Sequence, residues 1–274
     1  CTDPKDSDSD GDGIPDGEEI SENPYQTDPL LMDTDNDGLL DGDEYYFDTD
    51  PNDSDSDDDG INDYDEVYGL NNTYSYTSDP NKNDSDDDGI NDYDEVNNCI
   101  YGENEDECSD PSDDDSDGDG INDGAEVNTH NTDPKDYDTD NDGLNDGLEI
   151  IDLYSNPLNI DSDSDGLNDT WEWYRATEGY TYSLIDDDTD EDGTLDGDED
   201  LDNDGLSNLD EIQGNNVYGY ITSPLDQDSD GDTLFDGDEI DPQNINKDGI
   251  NNQYNYASNP TTNDSDNDLL SDLE

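Results

Sequence analysis

Positive charge is almost absent from this sequence. Five Lys and Arg stand against 88 Asp and Glu, a formal charge of −83 over 274 residues. That sign excludes nucleic acid as a partner and disfavours anionic membrane surfaces. Apolar residues are scarce as well. Leu, Ile, Val and Phe total 41 residues, about 15% of the chain, a share that by composition alone reads as disordered. Length allows one or two domains, but no window holds enough apolar side chains for a conventional core. No apolar run approaches the roughly 18 residues of a membrane helix, so no transmembrane segment is expected. No signal peptide is legible, which fits a mature chain or a start that has been cut away. One His and three Cys, none of them inside an acidic loop, leave zinc or iron without its usual ligands.

What is present repeats. DSDGDGIPDGEE from Asp8 recurs as DTDNDGLLDGDE from Asp33 and DSDDDGINDYDE from Asp55 and again from Asp84. DSDGDGINDGAE begins at Asp115, DTDNDGLNDGLE at Asp138, DSDSDGLNDTWE at Asp161 and DTDEDGTLDGDE at Asp188. DLDNDGLSNLDE begins at Asp200 and DSDGDTLFDGDE at Asp228. These ten copies follow D-x-D-x-D-G-[IL]-x-D-x-x-E, and are numbered loops 1 to 10 below. Two degenerate copies follow, NINKDGINNQYN from Asn244 and DSDNDLLSDLE from Asp264. The last stops at Glu274, one residue short of position 12, so the chain is expected to continue. An acidic tail does not hold Glu at position 12 in phase through ten copies and Gly at position 6 through nine of them.

The spacing supplies the missing counter-charge. Oxygens at positions 1, 3, 5, 7 (backbone carbonyl), 9 and 12, with Gly at 6, are the ligand set of a twelve-residue calcium loop. Magnesium, which demands a stricter octahedron and keeps its waters, fits less well. EF-hand helices are excluded. The apolar residue stands at position 7 rather than 8, and Pro lies four residues before most loops: Pro4, Pro29, Pro51, Pro80, Pro111, Pro134, Pro157, Pro224 and Pro260. Proline lacks an N–H and holds its predecessor extended, so no helix enters the loop. At most one helical turn is predicted over positions 9 to 13.

The full unit, [TS]-[DN]-P-x-x-x-D-x-D-x-D-G-[IL]-x-D-x-x-E, resembles the thrombospondin type 3 repeat in its bacterial and archaeal form. The resemblance implies a mostly irregular fold: an elongated array of calcium-stapled Asp-rich repeats with at most single helical turns and little or no sheet. It implies one continuous array over residues 1–274, with full loops at 8–19, 33–44, 55–66, 84–95, 115–126, 138–149, 161–172, 188–199, 200–211 and 228–239, and degenerate ones at 244–255 and 264–274. The implied calcium ligands of loop 1 are Asp8, Asp10, Asp12, the Ile14 carbonyl, Asp16 and Glu19. In loop 2 they are Asp33, Asp35, Asp37, Leu39, Asp41 and Glu44, and in loop 3 Asp55, Asp57, Asp59, Ile61, Asp63 and Glu66. Loop 4 offers Asp84, Asp86, Asp88, Ile90, Asp92 and Glu95; loop 5 offers Asp115, Asp117, Asp119, Ile121, Asp123 and Glu126. Loop 6 offers Asp138, Asp140, Asp142, Leu144, Asp146 and Glu149; loop 7 offers Asp161, Asp163, Asp165, Leu167, Asp169 and Glu172. Loop 8 has Asp188, Asp190, Asp192, Thr194, Asp196 and Glu199; loop 9 has Asp200, Asp202, Asp204, Leu206, Asn208 and Glu211. Loop 10 has Asp228, Asp230, Asp232, Leu234, Asp236 and Glu239, and the final copy keeps Asp264, Asp266 and Asp268. About ten or more calcium ions per chain are expected. The departures are Asn208 at position 9, Thr233 at position 6, which is expected to be strained or rearranged, and the copy from Asn244, which keeps only Asp248 as an acid. Animal repeats also carry dense disulfides and often Asp at position 12.

The connecting pieces carry further signals. Apolar residues at positions 7 and 13 are expected to form small clusters beneath each loop. Tyr-rich inserts either cover these clusters or form a contact surface for subunits or glycans. Acids two residues upstream of some loops (Asp6, Asp53, Asp113, Asp136, Asp186, Asp226) and Asp or Asn before most prolines either build a second, inter-repeat calcium site or are turn acceptors. Cys99 and Cys108 flank an eight-residue insert and are expected to form a disulfide, in keeping with an extracellular setting. Cys1 is lipid-bearing, intermolecular or incidental. His130 is a loop residue. Sequons at Asn52, Asn71, Asn83, Asn168 and Asn263 leave glycans open.

Catalysis is not expected: a catalytic acid needs an apolar cleft, and no nucleophile–base set is legible. A calcium sensor needs a mobile helix pair, none of which is readable. The expectation is an extracellular or cell-surface calcium-rigidified rod. It would serve as a filament subunit or stalk, with an adhesin spacer or a calcium buffer or sensor as alternatives. Its partners would be calcium and either itself or a cell-surface assembly.

Overall fold

A computed structural model describes residues 5–21, 26–69, 76–98, 108–214, 219–240 and 258–265. Among these there is no β-strand, and the helical segments are short, so the fold is mostly irregular. The chain divides into two compact units, Cys1–Thr139 with Asn145–Leu148, and Asp140–Leu144 with Glu149–Glu274. Loops 1 to 5 belong to the first and loops 7 to 10 to the second; the division runs through loop 6.

Each loop is the same small machine. Position 4 turns left-handed, with Asn36 at φ 67° and Asp87 at φ 66°, and position 6 turns further, with Gly38 at φ 110°. The two turns bring the chain back on itself, and the N–H of position 9 closes the loop on the carbonyl just before position 1. Examples are Asp16 on Ser7 (2.9 Å), Asp123 on Asp114 (3.0 Å) and Asn208 on Glu199 (2.7 Å). A helical segment starts at position 9 because position 8 is extended and caps it. Asn62, Asn122 and Asn168 accept the N–H three residues on, and Ser207 does the same. The segments run from three to ten residues, and several exceed the single turn expected: Asp41–Phe47 has seven, and Asp123–Ala125 continues into Glu126–His130, so His130 ends a helical segment rather than lying in a loop. The longest, Asp169–Glu178, runs ten residues, ending at Gly179 in the left-handed region, because the WEWYRATE insert extends it with helix-forming residues.

Little apolar surface is buried. Ile14, Leu39, Ile61, Ile90, Ile121, Leu144, Leu167, Leu206 and Leu234 at position 7 are buried, one per loop, but loop 8 has exposed Thr194 there. Position 13 is uneven: Val96 and Ile240 are buried, whereas Ile20 is 63% exposed. Pro51, Pro80, Pro111, Pro134, Pro157, Pro224 and Pro260 are buried, and Leu184 fills the same slot before loop 8. The tyrosines divide. A Cβ on Gly60 would meet the Tyr93 ring at 3.1 Å, so that ring lies on the loop, while Tyr46 is 82% exposed. Cys108 is buried and disulfide-bonded. Cys99, its expected partner, lies outside the described residues, as do Cys1, Asn71, the copy from Asn244, Asp266 and Asp268.

Candidate metal centres

In each loop the backbone aims the carboxylates inward. The N–H of position 7 donates to Oδ1 of position 5, as Leu39 does to Asp37 (2.7 Å) and Ile121 to Asp119 (2.7 Å). The N–H of position 5 donates to Oδ1 of position 3, as Asp37 does to Asp35 (3.2 Å) and Asp119 to Asp117 (3.0 Å). Position 1 accepts from positions 4 and 6, as Asp161 does from Ser164 (2.7 Å) and Gly166 (3.0 Å). At position 3 the other oxygen, Oδ2, is left buried without a protein donor in Asp35, Asp57, Asp86, Asp117 and Asp163. Carboxylate oxygens of Asp8, Asp10 and Asp12 lie within 4.8 Å of one another, as do those of Asp33, Asp35 and Asp37, and of Asp55, Asp57 and Asp59.

Position 12 completes the centre. Glu19, Glu44, Glu66, Glu126, Glu149, Glu172, Glu211 and Glu239 are fully buried. Oε1 of Glu19 takes the Thr27 hydroxyl (3.3 Å), and that of Glu44 takes Thr49 (3.5 Å). The same bond joins Glu66 to Ser78 (2.8 Å), Glu95 to Ser109 (3.1 Å) and Glu126 to Thr132 (3.1 Å). It joins Glu149 to Ser155 (3.0 Å), Glu211 to Thr222 (3.1 Å) and Glu239 to Ser258 (2.8 Å). The other oxygen, Oε2, of Glu19, Glu44, Glu66, Glu126, Glu149, Glu211 and Glu239 is buried with no protein donor. So are oxygens of Asp10, Asp12, Asp35, Asp57, Asp59, Asp86, Asp117, Asp163, Asp202 and Asp232 at positions 3 and 5. Buried carboxylate oxygens without donors are costly. A hard, oxygen-seeking cation satisfies them, and these donors fit calcium. Burial first, then the surrounding aspartates, push Glu44, Glu66, Glu126, Glu211 and Glu239 up to about 9, and Glu172 to about 10.

Position 9 is held by position 2 of its own loop. Both oxygens of Asp41 are held by Thr34 at position 2, Oδ1 by its N–H (2.7 Å) and Oδ2 by its hydroxyl (2.6 Å). Asp63 is held the same way by Ser56, and Asp169 by Ser162. So held, position 9 faces the preceding loop. Asp41 joins Asp12 and Glu19 within 4.8 Å, and Asp92 joins Asp59 and Glu66. Position 5 of one loop also accepts the N–H of position 10 of the next, as Asp37 does from Tyr64 (3.0 Å) and Asp165 from Gly197 (2.9 Å). Adjacent loops therefore share carboxylates across their seam.

The acids and amides before proline are turn acceptors. Asp50, Asp79, Asp110, Asp133 and Asn156 each accept the N–H two residues on through Oδ1. Their own N–H reaches position 2: Asp50 donates to Ser56 Oγ (2.8 Å), whose hydroxyl passes on to Asp63. The sequence pattern left positions 2 and 10 and the Ser/Thr before Asx-Pro without roles. Their constancy (D-[ST]-D, [ST]-[DN]-P and frequent D-G) was the available signal.

Three loops depart. In loop 9, Leu201 has no hydroxyl and Asn208 no charge; Asn208 Nδ2 donates instead to the Asp196 carbonyl (2.8 Å) and the Tyr182 hydroxyl (3.0 Å). In loop 8 the helical turn stops after three residues because Asp200 begins the next loop, leaving Glu199 extended at ψ 156° and Asp190 and Asp192 exposed. In loop 10, Thr233 takes φ 83° in the place of Gly, a strained angle for a β-branched residue, yet its N–H still reaches Asp228 Oδ2 at 2.9 Å. The strain stays in the backbone and the loop keeps its hydrogen bonds.

Among the described residues no helix is long and apolar enough to cross a membrane. The family model described as the bacterial TSP3 repeat matches residues 8–31, 33–54, 115–136 and 138–160. Two solved structures match a short stretch. "Biofilm associated protein - B domain" does so at 40% identity over 16% of this chain and 11% of its own, with a TM-score of 0.16. "Biofilm associated protein - BSP domain" does so at 41% identity over 16% and 8%, also with a TM-score of 0.16. The stretch is thus a small part of either chain. No curated protein matches the sequence. Over those four stretches the chain carries thrombospondin type 3-like repeats of the bacterial form, and such repeats imply calcium binding.

Proposed function

We propose that this protein is an extracellular structural element, a rod stiffened by about ten or more calcium ions, used as a filament subunit or a cell-surface stalk. The ligands in this reading are the acids at positions 1, 3, 5 and 12 and the position 7 carbonyl of each loop, with position 9 serving the seam. The observation that carries it is the pairing, in loops 1, 2, 3, 5, 6, 9 and 10, of a buried aliphatic at position 7 with a fully buried, half-satisfied glutamate at position 12. Such a chain has too little apolar surface to hold itself together. An ion at each loop turns its binding free energy into folding free energy. Repeats held this way contact mainly their neighbours, which favours a long array.

Small-angle scattering at saturating calcium tests the shape. A compact globule of this length has a radius of gyration near ~19 Å, and the rod requires a clearly larger value. A globule-like value would end the reading. Electron microscopy of native material then separates filaments from single stalks.

A further inference from the structure

We infer that the Ser or Thr two residues before the proline is a positioning residue for the calcium site of the preceding loop. The hydroxyl of each makes the same bond, to Oε1 of the position 12 glutamate, and leaves Oε2 for the loop centre. Chain geometry does not impose this contact. Thr49 is five residues from Glu44 and Thr132 six from Glu126, whereas Ser78 is twelve from Glu66 and Ser258 nineteen from Glu239. Inserts of very different length thus return a hydroxyl to one oxygen.

The chemistry explains the choice of residue. Glu has three side-chain torsions, and a ligand free to rotate loses more entropy on binding an ion. A donor on the far oxygen fixes the carboxylate. A lysine or arginine would fix it too, but its charge would compete with the cation. A hydroxyl is short and neutral, and fits a position that is fully buried at Thr132. Loop 7 is the natural exception. Tyr182 occupies this slot and is engaged by Asn208, and neither oxygen of Glu172 has a protein donor.

The test is peptide-resolved hydrogen exchange on the full chain as free calcium is raised. It compares wild type with Thr132→Val, which keeps the shape and loses the donor, and Thr132→Ser, which keeps the donor. For peptides covering residues 115–126, T132V is expected to move the protection midpoint to about tenfold higher calcium, the scale of one hydrogen bond to a charged group. T132S is expected to stay within about twofold, T132V to reach wild-type protection at saturation, and loop 33–44 to stay unmoved in both. The inference is overturned if T132V does not shift, if T132S shifts as far, or if T132V stays under-protected at saturating calcium, which marks a merely structural residue. It rests on the calcium reading, and the two fail differently. No calcium-dependent protection in wild type removes the reading itself; equal protection in wild type and T132V removes only the positioning role.

Discussion

Gly124 donates its N–H to Asp88 Oδ2 at 2.5 Å, and a Cβ on it would stand 2.2 Å from the Asp88 carbonyl oxygen. Loops 4 and 5 therefore meet backbone to backbone, and the same tight approach recurs at Gly42, Gly147, Gly197 and Gly237. A backbone oxygen cannot step aside as a side chain does. Gly124→Ala is expected to pry this seam apart and cost about 1–3 kcal/mol, read as a lower denaturation midpoint in calcium. Gly17 holds the same position in loop 1 but faces open space, so Gly17→Ala is the control and should be near neutral.

Asn208 offers the reverse test, a seam built without a charge. Asn208→Asp removes both donated hydrogen bonds and buries a carboxylate beside the Asp196 carbonyl. It is expected to destabilise the calcium-loaded chain by about 2 kcal/mol or more. The N–H of Leu201 already donates to Asn208 Oδ1 (3.3 Å), so adding Leu201→Ser supplies the missing hydroxyl donor that Thr34 gives Asp41, and the double variant should recover part of the loss. Thermal melts of the single and double variants measure this coupling.

The raised glutamates make calcium and protons competitors. Without metal, Glu44, Glu66, Glu126, Glu211 and Glu239 titrate near 9 in the fold, against 4.5 as the ordinary value. Their neutral form favours the metal-free fold most below 4.5, and that contribution is lost as pH rises through about 9. Calcium needs the ionised form. Its binding near neutral pH should release several protons per chain, and apparent affinity should climb with pH across that range. Calorimetric titration in buffers of different ionisation enthalpy measures the release. Heats that do not depend on the buffer would count against these groups as ligands.

How much of this was legible follows from what each residue does. The acids at positions 1, 3, 5 and 12 and the position 6 turn stand out because their spacing is the chemistry. Burial of Leu39 and Leu167 follows from position 7 being the one position where an aliphatic recurs in nearly every loop. Position 9 was not legible in full. Asp41 is an acid like the others, and only the fold shows Thr34 holding it and the seam to Asp12 and Glu19. Thr132 and Gly124 recur plainly in the repeat, but their partners are brought near by packing rather than by spacing. Asn208 reads as an isolated departure, whereas in the fold it pairs with Leu201, whose N–H it accepts.

The central claim is that calcium holds this chain together, and scanning calorimetry with and without EDTA tests it most directly. The calcium-loaded chain is expected to melt in a cooperative transition that vanishes on chelation, leaving an expanded polyanion. The transition should return when calcium is restored, and much less so with equal magnesium. A transition unchanged by EDTA would contradict the account.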